Sequence, residues 1–169
     1  QKVELSGISW VPRERKGEKL FRGGSSINLD AKGRMAFPTR YRTDLIERCD
    51  GHVVLTVHDD HCLLLYPQPE WDEIERKLVR LPNQNKRTRI LQRMLLGHAT
   101  ELEMDKNGRI LIPPRLREFA NLEKRVVLAG LGNKFEVWNE EAWEKSCGDW
   151  VSGDGSDDEM PDSLESLTL

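Results

Sequence analysis

The chain has 169 residues, 33% of them charged and 37% hydrophobic, with 5 Trp, a composition that folds around a core and excludes a disordered protein. Its net charge of −3 supplies no general attraction to nucleic acid, and no apolar run approaches the ~20 residues of a membrane-spanning helix. Three cysteines, Cys49, Cys62 and Cys147, without a Cys-x-x-Cys spacing argue against a disulfide framework or a zinc ribbon and fit a reducing, cytoplasmic setting.

Residues 1–19 are charged, lack the apolar centre of a signal peptide and belong to no repeat; they read as an extension or an expression-derived leader. From Leu20 the sequence is written twice. Asp30, Gly33, Arg34, Pro38, Arg40 and Arg42 recur as Asp105, Gly108, Arg109, Pro113, Arg115 and Arg117, and "HVVLTV" and "CLLLYPQPEW" recur as "RVVLAG" and "KFEVWNEEAW". Two copies are too few for a solenoid, so they are expected to pair about a pseudo-two-fold axis.

Each copy predicts the same elements. A short strand (Ile27–Asp30; Leu102–Asp105) enters a Gly-containing turn and a second strand (Arg34–Phe37; Arg109–Ile112). A proline then opens a short helix, where its fixed φ and missing N–H do no harm. Two further strands follow, and a helix starting near Trp71 or Trp143 closes the unit. The boundaries are 20–81 for the first repeat, 82–97 for a linking helix, 98–147 for the second repeat and 148–169 for a flexible tail. From Asp149 the tail holds seven acids and no Lys or Arg, so the remaining body is basic at +4. That is compatible with DNA binding without demonstrating it.

The turns carry the chemistry. In "DAKGR" and "DKNGR" the glycine stands where a three-residue hairpin loop needs φ > 0. The loop sets Asp30 opposite Arg34, and Asp105 opposite Arg109, on adjacent strands, with Lys32 and Lys106 making each tip cationic. A carboxylate that collects the turn's amides and fixes a guanidinium would present that Arg to guanine or to phosphate. Taken singly, each pair could be an ordinary staple worth about 0–1 kcal/mol; the duplication favours a paired binding surface. Arg40, Arg42, Arg115 and Arg117 are either solvated helix residues or phosphate contacts.

The segments "LFRGGSSINLDAKGRMAFPTRYR", "RMLLGHA", "MDKNGRILIPPRLRE" and "NKFEVWNEEAW" closely resemble the MraZ family of bacterial transcriptional regulators. The resemblance runs from about Leu20 to Trp143. It implies an α+β fold, mainly β, of two tandem AbrB/SpoVT-type units whose swapped hairpins interlock into a small barrel. It further implies a ring-shaped homo-oligomer that binds direct repeats in double-stranded DNA upstream of its own division and cell-wall operon, normally as a repressor. The family's DNA-contacting signature falls on Asp30/Arg34 and Asp105/Arg109, joined by Lys32, Gly33, Lys106 and Asn107. A nucleoid-associated protein without cofactor, metal or small-molecule substrate is expected. Residues before Leu20 depart from the family pattern.

Two rivals remain. "HDDHC", His58 to Cys62, has metal-ligand residue types, but it fills a turn where Asp is common and has no counterpart in the second copy. No Gly-x-Ser-x-Gly, phosphate loop or dinucleotide fingerprint is present, so no enzyme is predicted. The other rival is a ring-forming scaffold for protein partners, in which the basic tips are solvated surface.

Overall fold

The computed structural model describes residues 20–153; the extension over 1–19 and the tail from 154 onward lie outside the described residues. The described elements are β1 (Phe21–Asn28), β2 (Arg34–Ala36), α1 (Thr39–Cys49), β3 (His52–Val57), β4 (Leu63–Pro67) and α2 (Gln68–Arg80), followed by α3 (Lys86–His98). The second copy then supplies β5 (Thr100–Glu103), β6 (Arg109–Leu111), α4 (Pro114–Phe119), β7 (Arg125–Gly132), β8 (Phe135–Asn139) and α5 (Glu140–Ser152). No described helix is long and apolar enough to cross a membrane.

Local chemistry accounts for the helix ends. Pro38 and Pro113, at φ −52° and −57°, stand just before α1 and α4, where a missing N–H leaves nothing unpaired. Helix α1 stops because Asp50 turns left-handed at φ 53°. The amides of Asp50 and Gly51 then reach back to the carbonyls of Ile46 and Leu45, at 2.9 and 3.1 Å, closing the last turn. The Asn85 side chain caps α3 by accepting the Arg87 N–H at 2.8 Å.

Every strand pair is antiparallel, but none joins β1 to β2 or β5 to β6. Six strands form one sheet in the order β1-β7-β8-β4-β3-β5, and β2 pairs with β6 in a separate ribbon. Exchanging each first-copy strand for its second-copy counterpart reverses that order and leaves it unchanged. The strand pairing therefore has the pseudo-two-fold relation expected of the repeats, with outer strands traded between copies.

This corrects the hairpin expectation. The Asp-x-x-Gly-Arg segment is a turn between two strands that do not pair with each other. The sheet also does not close by hydrogen bonds: β1 and β5 are its edges, and the ribbon packs across the core. Strand β1 begins at Phe21, six residues earlier than its sequence suggests. Its Gly23 and Gly24 depress strand propensity, yet an eight-residue register with β7 overrides them. A Cβ at Gly130 would stand 2.6 Å from the Arg22 nitrogen, so that pairing depends on glycine there. Helix α5 runs to Ser152, into the stretch assigned to the tail, because Trp150 meets Trp143 edge-on at 5.6 Å.

Burial on both faces explains the near-continuous apolar strands. Val53, Leu55, Val57, Leu63 and Leu65 face a core shared with Val126, Leu128, Phe135 and Val137, under the ribbon residues Met35 and Ile110. On the other face Val54, Leu64 and Tyr66 pack with Trp71 and Leu78 of α2, while Val127 and Trp138 pack with Trp143 of α5. Buried Thr56 donates to the Leu95 carbonyl at 2.7 Å, pairing a group at the end of α3. Phe135 of the second copy touches Phe21, Phe37 and Tyr41 of the first, at 4.2, 6.1 and 4.9 Å between ring centroids. Phe135→Ala is expected to lower stability by about 3–5 kcal/mol, with both halves unfolding in one transition. Urea denaturation followed by two probes checks this; a two-step curve would contradict the shared core.

Candidate nucleic-acid interface

The two turns are built alike to within tenths of an ångström. In the first, the Asp30 carboxylate accepts the amides of Lys32 and Arg34 on one oxygen, at 3.0 and 2.9 Å. Its other oxygen accepts Nε of Arg34 at 2.6 Å. In the second, Asp105 accepts the amides of Asn107 and Arg109, both at 2.9 Å, and Nε of Arg109 at 3.0 Å. Main-chain bonds complete each turn: Gly33 N–H to Asp30 O at 3.0 Å and Gly108 N–H to Asp105 O at 2.9 Å. Both glycines take the left-handed conformation, φ 84° and 73°, as the sequence requires.

Electrostatics follow from that geometry. The Arg34 amide, with its guanidinium and the Lys32 amide, holds the Asp30 carboxyl down to about 2. Asp105 is lowered by the same set, the Arg109 amide foremost. Both aspartates are ionised at neutral pH, so each fixes its arginine as a charged pair. The bonds engage Nε, and among the described residues neither arginine's terminal nitrogens are tied down. Each arginine side chain keeps 28% of its surface exposed.

The ribbon brings the two turns together. Met35 and Ile110 are paired and buried at 0% and 1%, so their neighbours Arg34, Ala36, Arg109 and Leu111 face the other way. Arg34 lies opposite Leu111, and Arg109 opposite Ala36, which makes the arginines diagonal neighbours roughly 7–8 Å apart. Leu111 is 52% exposed beside them. It was not anticipated from sequence, although its place one residue after a buried Ile was a usable signal. Lys32, Lys106 and Asn107 are exposed at the two tips.

The helix arginines divide into two kinds. Arg40 donates to the Ser25 hydroxyl at 2.6 Å and lies over the Tyr41 ring; Arg115 is exposed and unbonded among the described residues. Arg42 and Arg117 turn inward instead. Their Nε groups donate to the carbonyls of Phe37 and Ile112, at 2.7 and 3.0 Å. The "HDDHC" motif splits: His58, Asp59 and Asp60 cluster on the surface turn, while buried Cys62 points at Glu136, 3.4 Å away. Burial and that carboxylate push the Cys62 thiol up, far from a thiolate ligand.

Comparison with known proteins adds to this geometry. Residues 20–94 and 95–149 each match the family model described as "MraZ protein, putative antitoxin-like". A protein of Thioalkalivibrio sulfidiphilus is 55% identical over 150 residues, which is 89% of this chain and all of that relative. One of Halorhodospira halophila is 55% identical over 152 residues with the same two shares. One of Methylococcus capsulatus is 58% identical over 132 residues, covering 78% of this chain and 87% of the relative. All three bear the name "Transcriptional regulator MraZ".

The depressed aspartates set a pH dependence. A carboxylate held below its unfolded value, which lies near 4, contributes stability that is complete above about pH 4 and lost as pH falls toward 2. The Lys32 and Arg34 amide resonances are therefore expected to shift with a midpoint near 2. In Asp30→Asn that titration is absent and the first turn is loosened at every pH. A midpoint at the ordinary carboxylate value would contradict the anchoring.

Proposed function

The chain belongs to the MraZ family, and from that premise we propose that it is a sequence-specific DNA-binding transcriptional regulator reading double-stranded DNA with the β2–β6 ribbon. The observation that carries the reading is the pair of Asp-aimed arginines, Arg34 and Arg109, on one outward face of that ribbon. A two-stranded ribbon is narrow enough for the major groove, where Arg meets guanine O6 and N7 and an apolar side chain meets the thymine methyl. Asp30 and Asp105 hold the arginines. Lys32, Lys106 and Asn107, with Gly33 shaping its tip, approach the flanking backbone, and the exposed Arg40 of α1 and Arg115 of α4 supply phosphate contacts.

The target is a set of direct repeats upstream of the chain's own division and cell-wall operon, where binding represses transcription within the nucleoid. One ribbon is a small contact, so affinity comes from several subunits. A head-to-tail contact that closes gives a ring, and repeats spaced along one face let its ribbons bind together at high effective concentration. The exposed Val79, Ile90 and Leu91 of α2 and α3 suit a subunit contact of that kind.

Mobility shifts on the upstream fragment test the reading. Binding should require the direct repeats and weaken steeply with salt. Arg34→Ala and Arg109→Ala should each lose about 1–3 kcal/mol per recognition contact while oligomer size is retained. Unchanged binding by a folded double variant would remove the ribbon from the interface. Failure of any upstream fragment to bind at low micromolar protein would favour the scaffold reading.

A further inference from the structure

We propose that Arg42 and Arg117 are positioning residues, each holding the recognition turn of the opposite copy in shape. Their role in DNA binding rests on the function proposed above; their hold on the turns does not.

The bonds form two closed circuits, one the image of the other. In the first, the Gly108 carbonyl accepts the Phe37 N–H at 2.8 Å, and the Phe37 carbonyl accepts Nε of Arg42 at 2.7 Å. The Arg42 side chain then lies against Gly108, so that a Cβ there would run into its Nε and Cδ. In the second, the Gly33 carbonyl accepts the Ile112 N–H at 3.1 Å, and the Ile112 carbonyl accepts Nε of Arg117 at 3.0 Å. A Cβ at Gly33 would stand 2.5 Å from the Arg117 guanidinium carbon, well inside van der Waals contact.

Each glycine is thus required for its positive φ, and a Cβ there would also push the arginine side chain off the turn. Each circuit also crosses between copies. Phe37 and Arg42 belong to the first repeat and grip the turn of the second; Ile112 and Arg117 do the reverse. The peptide they grip immediately precedes Arg109 or Arg34, so its plane sets where the recognition arginine leaves the backbone. Beside the second turn, Arg42 walls an open hollow of about 300 Å³ with Asp105, Lys106 and Gly108, which gives that turn room to move once the arginine is withdrawn.

Position within the circuit also explains the residue type. A guanidinium is planar and donates from Nε in a fixed geometry, so it can bond a carbonyl while lying against the neighbouring turn; an ammonium is a compact point charge without that fork. Lysine keeps the charge and loses the latch, so Arg42→Lys separates positioning from a phosphate contact.

The test uses the full chain, with folding verified by its thermal transition and oligomer size. In Arg42→Lys, amide shifts and hydrogen exchange should change at Asn107, Gly108 and Arg109 while Lys32 and Gly33 stay as in the parent. Arg117→Lys should give the opposite pattern. Upstream-fragment affinity should fall about tenfold or more, the size of a lost charge-assisted bond, with an unchanged slope of log affinity against log salt. If either lysine variant fails to fold, Arg42→Gln and Arg117→Gln, which retain a donor amide, take its place. Amide changes in the variant's own turn, or equally in both, would overturn the crosswise latch. So would unchanged amides with parental affinity in the lysine variants, or with a salt slope reduced by about one in the charge-removing glutamine variants, the mark of a phosphate contact. Crossed amide changes with undiminished DNA affinity would deny the latch any part in recognition. Crossed changes in a chain whose parent binds no upstream DNA would sustain the hold on the turns and overturn the proposed function instead.

Discussion

Backbone pairing between the two copies is the constraint from which the remainder follows. β1 finds its ladder on β7 and β5 finds its ladder on β3, while β2 and β6 have only each other. A two-stranded ribbon alone is marginal in water; here it stands because Met35 and Ile110 are sunk into a core that both copies build. The distance between the two partly exposed arginines is then a property of strand register rather than of flexible loops. Such placement is more exact than a pair of independent hairpins could provide, and less ordering is left to be done on binding.

Within that frame the carboxylates do local work. Each gathers two turn amides and one guanidinium nitrogen, so the backbone bend and the arginine pose are set by one group. The ionised aspartates reduce the positive charge of the ribbon. They return orientation, which the proposed reading of a DNA groove requires more than another charge. The inward arginines extend the logic by one step: aspartate aims the tip from within its own copy, and Arg42 or Arg117 braces it from the other. Four positions that look like a basic patch therefore serve different ends.

Features set by short-range chemistry were legible in the sequence. Asp30, Gly33 and Arg34 form a turn through neighbours two to four residues away, and Pro38 and Pro113 start helices through their own rings. The duplicated motifs likewise gave the order of elements and the pseudo-two-fold relation. Illegible features depend on partners far along the chain. "FRGGSS" has too much glycine to read as strand, yet Phe21 is buried against Phe135 and its strand is fixed by β7. Nothing near Arg42 says that it will lie on Gly108, sixty-six residues away in the sequence. Leu111 reads as one more apolar residue in an apolar run until pairing with Arg34 turns it outward. Trp150 reads as the start of a tail until Trp143 holds it on α5.

The most direct measurement is a structure of the full chain bound to a fragment carrying the upstream repeats. It should show Arg34 and Arg109 of one subunit entering the same groove side by side, each still bonded to its aspartate. A complex in which the ribbon faces away from the DNA, or in which the two arginines leave their aspartates to reach it, would contradict the account.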